Sequence, residues 1–164
     1  MKHVIRFSLD SAGIQQGIRE LREYQDRLRG KCEELARRLA DMGAVLASIE
    51  FSRVPYMGPK DVNIAVEQRT DNSYAIVASG ETVLILEFGA GIRYGNGHPQ
   101  AAEFGYGPGT YPGQTHAMDE NGWWIPKDKG GGHTYGNPPS MAMYLTGKEL
   151  RDRLEEIARE VFST

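Results

Sequence analysis

The chain has 164 residues, enough for one domain, and its nineteen basic and twenty-two acidic side chains leave a formal net charge of −3. That balance supplies no whole-molecule field for holding a polyanion or an anionic membrane. The single cysteine, Cys32, excludes an internal disulfide and suits a reducing compartment such as cytoplasm, and the longest aliphatic run, residues 83–86, is far short of a membrane span.

In chain order, His3, Ile5, Phe7 and Leu9 alternate with Lys2, Val4, Arg6 and Ser8, which predicts a first strand with one buried face. Asp10 or Ser11 can then cap a long amphipathic helix. Its apolar residues recur in steps of three and four at Ile14, Ile18, Leu21, Tyr24, Leu28, Cys32, Leu35, Leu39, Met42 and Leu46. Gly30 and Gly43 are the places for a bend or break, and Cys32 on this stripe is expected to be a small buried residue rather than a reactive thiol. Seven basic and seven acidic residues between Asp10 and Asp41 describe a solvated opposite face.

Beyond a turn-rich stretch around Pro55 and Pro59, residues 62–69, 74–79 and 82–88 read as three strands joined by short hairpins. Residues 83–86 are apolar throughout, as in a strand covered on both faces, one cover being the long helix and the other a neighbouring subunit. The chain closes with a helix to about Phe162, starting near Asn137 or at the capping-box pair Thr146 and Glu149. These elements predict a single α+β domain over residues 1–164, with a long N-terminal and a C-terminal helix packed on a mainly antiparallel sheet. Leu21, Leu28, Leu35, Leu39, Ile64, Ile76, Leu84, Leu154 and Ile157 are its expected core.

Residues 89–136 do not fit that plan. They hold thirteen of the twenty glycines, three of the four histidines and both tryptophans, without hydrophobic periodicity. A connection so much longer than the usual 4–6 or so residues is typically functional or completed by a partner. Gly89-Ala90-Gly91 begins like a dinucleotide-binding turn, but Tyr94 occupies the third glycine position and Gly95, Gly97 and Pro99 preclude the helix that would hold a pyrophosphate. His98, His116 and His133, with Glu103, Asp119, Glu120 and Asp128, offer metal-ligand chemistry at spacings that match no metal motif. No catalytic residue, metal site or cofactor site is therefore expected, the alternative being a metal-dependent hydrolase built on the loop histidines. Phe88, Tyr94, Phe104, Tyr106, Tyr111, Trp123, Trp124 and Tyr135 instead put much aromatic area where regular packing cannot bury it, the mark of an interface. The two tryptophans can serve core and interface together if one ring faces each way.

Four stretches resemble a known family: LEFGAGIRYGNGHP from Leu86, GYGPGT from Gly105, NGWWIPKDKGGGHTYGNPPSMAMY from Asn121 and ELRDRLEEIAREVF from Glu149. They are similar to the small neck, head–tail joining or tail-completion proteins of long-tailed phages and prophages. The likeness covers about the last eighty residues, and Val54-Pro55-Tyr56-Met57-Gly58 keeps only part of the Pro-x-Asp-Thr-Gly-type motif many relatives carry. The resemblance implies a non-catalytic virion protein made in the host cytoplasm and assembled as a homo-oligomeric ring. Its partners would be other neck, connector and tail proteins. Genomic DNA would pass nearby without sequence-specific binding, and no membrane would be involved.

Overall fold

The computed structural model describes residues 4–56, 58–94, 97–106, 115–116 and 118–163. Its frame is α+β. Helix α1 (Ser11–Arg53) is 43 residues long, about 64 Å at 1.5 Å per residue. It is capped by Asp10, whose Oδ1 accepts the Gly13 backbone N–H at 2.7 Å while Ser8 Oγ donates to Oδ2 at 3.0 Å. The helix runs unbroken through Gly30 and Gly43. At Gly43 the missing side chain is structural, because a Cβ there would collide with Ile76 and Leu150.

Strands β1 (Asn63–Thr70) and β2 (Ser73–Ser79) form an antiparallel hairpin, with Asn63 opposite Ser79 and Thr70 opposite Ser73. The expected third strand is instead a six-residue helix, α2 (Val83–Phe88). A short, wholly apolar run fits a buried helix as well as a strand, and here the flanks decide. Asp61 gathers the backbone N–H groups of Glu81 and Thr82 and the Thr82 hydroxyl at the start, and Gly89 at φ +80° stops the helix. These donors, the Thr82 hydroxyl foremost, hold the Asp61 carboxyl down to about 2. Burial and then the Asp61 charge push the nearby Tyr56 phenol up. With no third strand, the cover proposed from a neighbouring subunit is not required: Leu86 is fully buried within this chain, against Phe51, Val54 and Ala142.

The last helix, α3 (Ala142–Ser163), starts at neither expected position. It lies antiparallel to the C-terminal half of α1: Lys31 Nζ donates to the Val161 carbonyl, Arg38 pairs with Glu160 at 3.6 Å, and Gly43 faces Leu150. This geometry explains the largest departures from the expected core. Ile157 is buried and Leu35, Leu39, Ile64, Ile76 and Leu84 are half-buried, but Leu21, Leu28 and Leu154 are exposed, as is Cys32. Among the described residues α3 reaches only the level of Lys31, so it does not cover the apolar stripe in the N-terminal half of α1, where Ile14, Ile18, Leu21 and Leu28 stay exposed. Of the expected first strand, residues 4–9 are extended chain outside any described sheet, with the Phe7 ring laid against Gly17.

Candidate functional site

The long Gly-rich segment leaves the frame at the end of α2 and returns just before α3, and its two ends are stitched together. Ala90 and Asn137 exchange both backbone hydrogen bonds, at 2.9 and 3.0 Å. The free carbonyls at the C-terminus of α2 are taken by the returning strand of chain: Ile85 by the Asn137 side chain at 2.9 Å, Leu86 by the Ser140 N–H at 2.8 Å, and Glu87 by the Met141 N–H at 3.1 Å. Gly136 crosses directly over Ala90 at φ +101°, a contact that no side chain could share.

Glu87 is the centre of this joint. Helix α3 begins after Met141, which sits at φ 57° and has no side-chain oxygen with which to cap it. Glu87 supplies the cap from 56 residues away, Oε2 accepting the Met143 N–H at 2.8 Å and Oε1 the Tyr144 N–H at 3.0 Å. The carboxylate also faces the positive end of the helix dipole. A third donor, His98 Nε2, reaches Oε1 at 3.1 Å. His98 Nδ1 accepts the Gln100 N–H at 3.1 Å, which fixes the neutral tautomer with its proton on Nε2. Both side chains are buried and both have every polar atom engaged.

Around this pair sits an aromatic cluster. The Phe88 ring lies 4.3 Å from His98, 5.6 Å from Phe104 and 4.8 Å from Tyr106 between ring centroids. They border a cavity of about 350 Å³ that Met143 and Arg151 also line. That volume is at the small end for a ligand pocket, and its one buried acid–imidazole pair is already consumed by structural hydrogen bonds.

The rest of the segment is less irregular than its composition suggests. Strands β3 (Trp123–Trp124) and β4 (His133–Thr134) form a second hairpin, and short 3₁₀ turns occupy Ala101–Phe104 and Lys127–Lys129. Because adjacent residues of a strand point to opposite faces, the tryptophans divide. Trp123 turns inward toward Gly91 and stacks on His116, whereas Trp124 is 75% exposed, with His133 at its edge. His133 in turn meets Tyr135, over whose ring Arg93 stacks at 3.7 Å, a cation–π contact.

The structure thus resolves the candidate interface residues into distinct sets. Phe88 and Tyr106 are half-buried, with Phe104 exposed at their rim; Trp123 packs inward; Tyr94, Trp124 and Tyr135 face outward. Tyr111 lies outside the described residues. The loop histidines are not brought together: His98 is buried on Glu87, His116 is stacked on Trp123, and His133 lies between Trp124 and Tyr135. Of the three, His98 is buried and His116 and His133 are exposed. Among the described residues no three potential ligands converge, and no helix is long and apolar enough to cross a membrane. Sequence patterning missed the Glu87–His98 pair because Glu87 ends an apolar run and His98 stands alone in a Gly/Pro-rich stretch. Comparison of the chain with family models, curated proteins and solved structures gives no match.

Proposed function

We propose that this chain is a structural subunit of a tailed-phage or prophage particle, forming part of the neck, head–tail joining or tail-completion ring. The observation that carries the reading is a set of outward-facing aromatic rings on a segment whose two ends are tied together. The Gly-rich excursion is closed at its base by the Ala90–Asn137 bridge and the Glu87 cap, yet Tyr94, Phe104, Trp124 and Tyr135 remain exposed on it. Presenting large rings without burying them makes sense for a subunit whose neighbours complete the packing, and each ring so covered contributes about 1.5–3 kcal/mol. The resemblance of the Gly-rich motifs to neck and tail-completion proteins supports the same reading and supplies the partners: further copies of this chain, connector and tail proteins. Such a subunit resides in the virion. It can stand beside the DNA channel without reading sequence. The metal-hydrolase alternative needs His98, His116 and His133 to act together, and they lie in three separate environments.

The test is complementation of a particle-forming lysate lacking this chain. Wild-type protein should be found in purified particles by immunoblot and restore tailed particles by negative-stain microscopy, whereas Trp124→Ala, folded by circular dichroism, should not be incorporated. Normal incorporation of Trp124→Ala together with Tyr135→Ala would remove this surface from the assembly.

A further inference from the structure

We propose that the N-terminal half of α1 is a docking surface for an amphipathic helix with acidic flanks, contributed by a different protein chain. Ile14, Ile18, Leu21, Gln25 and Leu28 follow one another in strictly alternating steps of four and three, a period of 3.5 residues, the seam of a coiled coil. The same alternation continues without a slip through Leu35, Leu39, Met42 and Leu46. There the seam has its partner, since α3 lies antiparallel along it from Gly43 to Lys31. Toward the N-terminus the seam goes on and α3 does not. Every residue from 21 to 30 is exposed, Leu21 at 53% and Leu28 at 40%. A helix of this length gains little stability in water without a packed face.

Charge identifies the occupant. Positions flanking a coiled-coil seam decide which helices pair. Beside the open seam one flank holds Arg22 and Arg29, while Glu20, Glu23 and Asp26 lie away from it; on the other flank Lys31 is already taken by the Val161 carbonyl of α3. The covered part of the seam carries one pair of this kind, although Arg38 also pairs with Glu34 of its own helix. Arg38, one heptad beyond Lys31 on the same flank, meets Glu160 of α3 at 3.6 Å. A second copy of this chain would bring no acidic residue to either flank in either orientation. It would instead gather the arginines of both copies around one seam, which opposes self-pairing. The inference rests on α1 alone and goes beyond the neck reading.

The probe is a fluorescein-labelled synthetic three-heptad peptide with leucine at the seam and glutamate at the flanks, compared with one carrying lysine at the flanks. Anisotropy titration with the full chain should give about tenfold tighter binding of the glutamate peptide, weakening with salt. Arg22→Glu with Arg29→Glu should invert the preference, and Leu21→Asp with Leu28→Asp should lower affinity about tenfold or more. Should the leucine variant unfold by circular dichroism, the arginine reversal still decides, since both side chains are on the surface. Equal affinity for the two peptides would overturn the proposal. So would sedimentation of the chain alone as a dimer that Leu21→Asp dissociates, because the face would then belong to a second copy.

Discussion

Replacing Glu87 by alanine removes the acceptor for three donors at once: the Met143 and Tyr144 N–H groups and His98 Nε2, at 2.8, 3.0 and 3.1 Å. Glu87 is buried, so water does not simply take its place, and the first turn of α3 loses its cap while a buried imidazole N–H is orphaned. Removing one member of a buried, hydrogen-bonded charged group costs about 3–5 kcal/mol. For a chain of this size that corresponds to a fall in Tm of about 6–20 °C. Glu87→Gln keeps the shape and an acceptor oxygen but turns an amide N–H₂ toward one of the donors, so its loss should be smaller, about 1–3 kcal/mol. Thermal melts followed at 222 nm, with near-ultraviolet dichroism reporting on the Phe88–Tyr106–Tyr144 surroundings, check both. A Glu87→Ala protein melting within about 2 °C of wild type would refute the assignment of Glu87 as the keystone of the α2–α3 joint.

Trp124→Ala should leave Tm nearly unchanged, by about 0.5 kcal/mol or less, whereas Trp123→Ala, packed toward Gly91 and His116, should cost about 2–3 kcal/mol; paired denaturant melts distinguish them. Gly136→Ala places a side chain against Ala90 at φ +101° and should destabilise by at least about 1–3 kcal/mol, read from the same melts. Asp61 is held down to about 2 by its donors, below its ordinary value of 3.8. Its contribution is therefore complete above pH 4 or so and is lost as pH falls through about 2. Acid titration of Asp61→Ala should accordingly show a shallower stability loss over that window than wild type, and parallel curves would remove Asp61 from the β2–α2 connection.

What the sequence made legible follows from the range over which its signals act. The α1 stripe and the Asp10 cap are local, and the hairpin of β1 and β2 follows from alternation around Asp71 and Asn72. The Val83-Leu84-Ile85-Leu86 run carries no periodicity, so its helical state depended on Asp61, some twenty residues away, engaging Glu81 and Thr82. The cues within reach were Thr82 before the run and Gly89 after it. The start of α3 was further out of reach, because the local capping box at Thr146 and Glu149 is unused and the working cap comes from Glu87. Glu149 pairs with Arg153 at 2.6 Å instead. Exposure of Leu21 and Leu28 was illegible for a different reason: periodicity identifies a face that seeks cover, and says nothing of whether the cover lies in the same chain. The division of labour between Trp123 and Trp124 was readable as soon as they were placed on a strand.

The Ala90–Asn137 bridge has a consequence for how such a chain can diverge. With both ends of the excursion locked to α2 and α3, the residues between them form a closed cassette tied to the frame at its base and through His98 and the rings packed on Phe88. The entropic cost of closing a loop rises only with the logarithm of its length, so doubling the cassette adds about 0.6 kcal/mol. Length there is thus nearly free to drift, while Glu87, Gly89, Gly136 and Asn137 at the clasp, and His98 and Trp123 packed within, are not. A lineage could exchange one cassette for another and re-target the subunit to new neighbours while keeping the same scaffold.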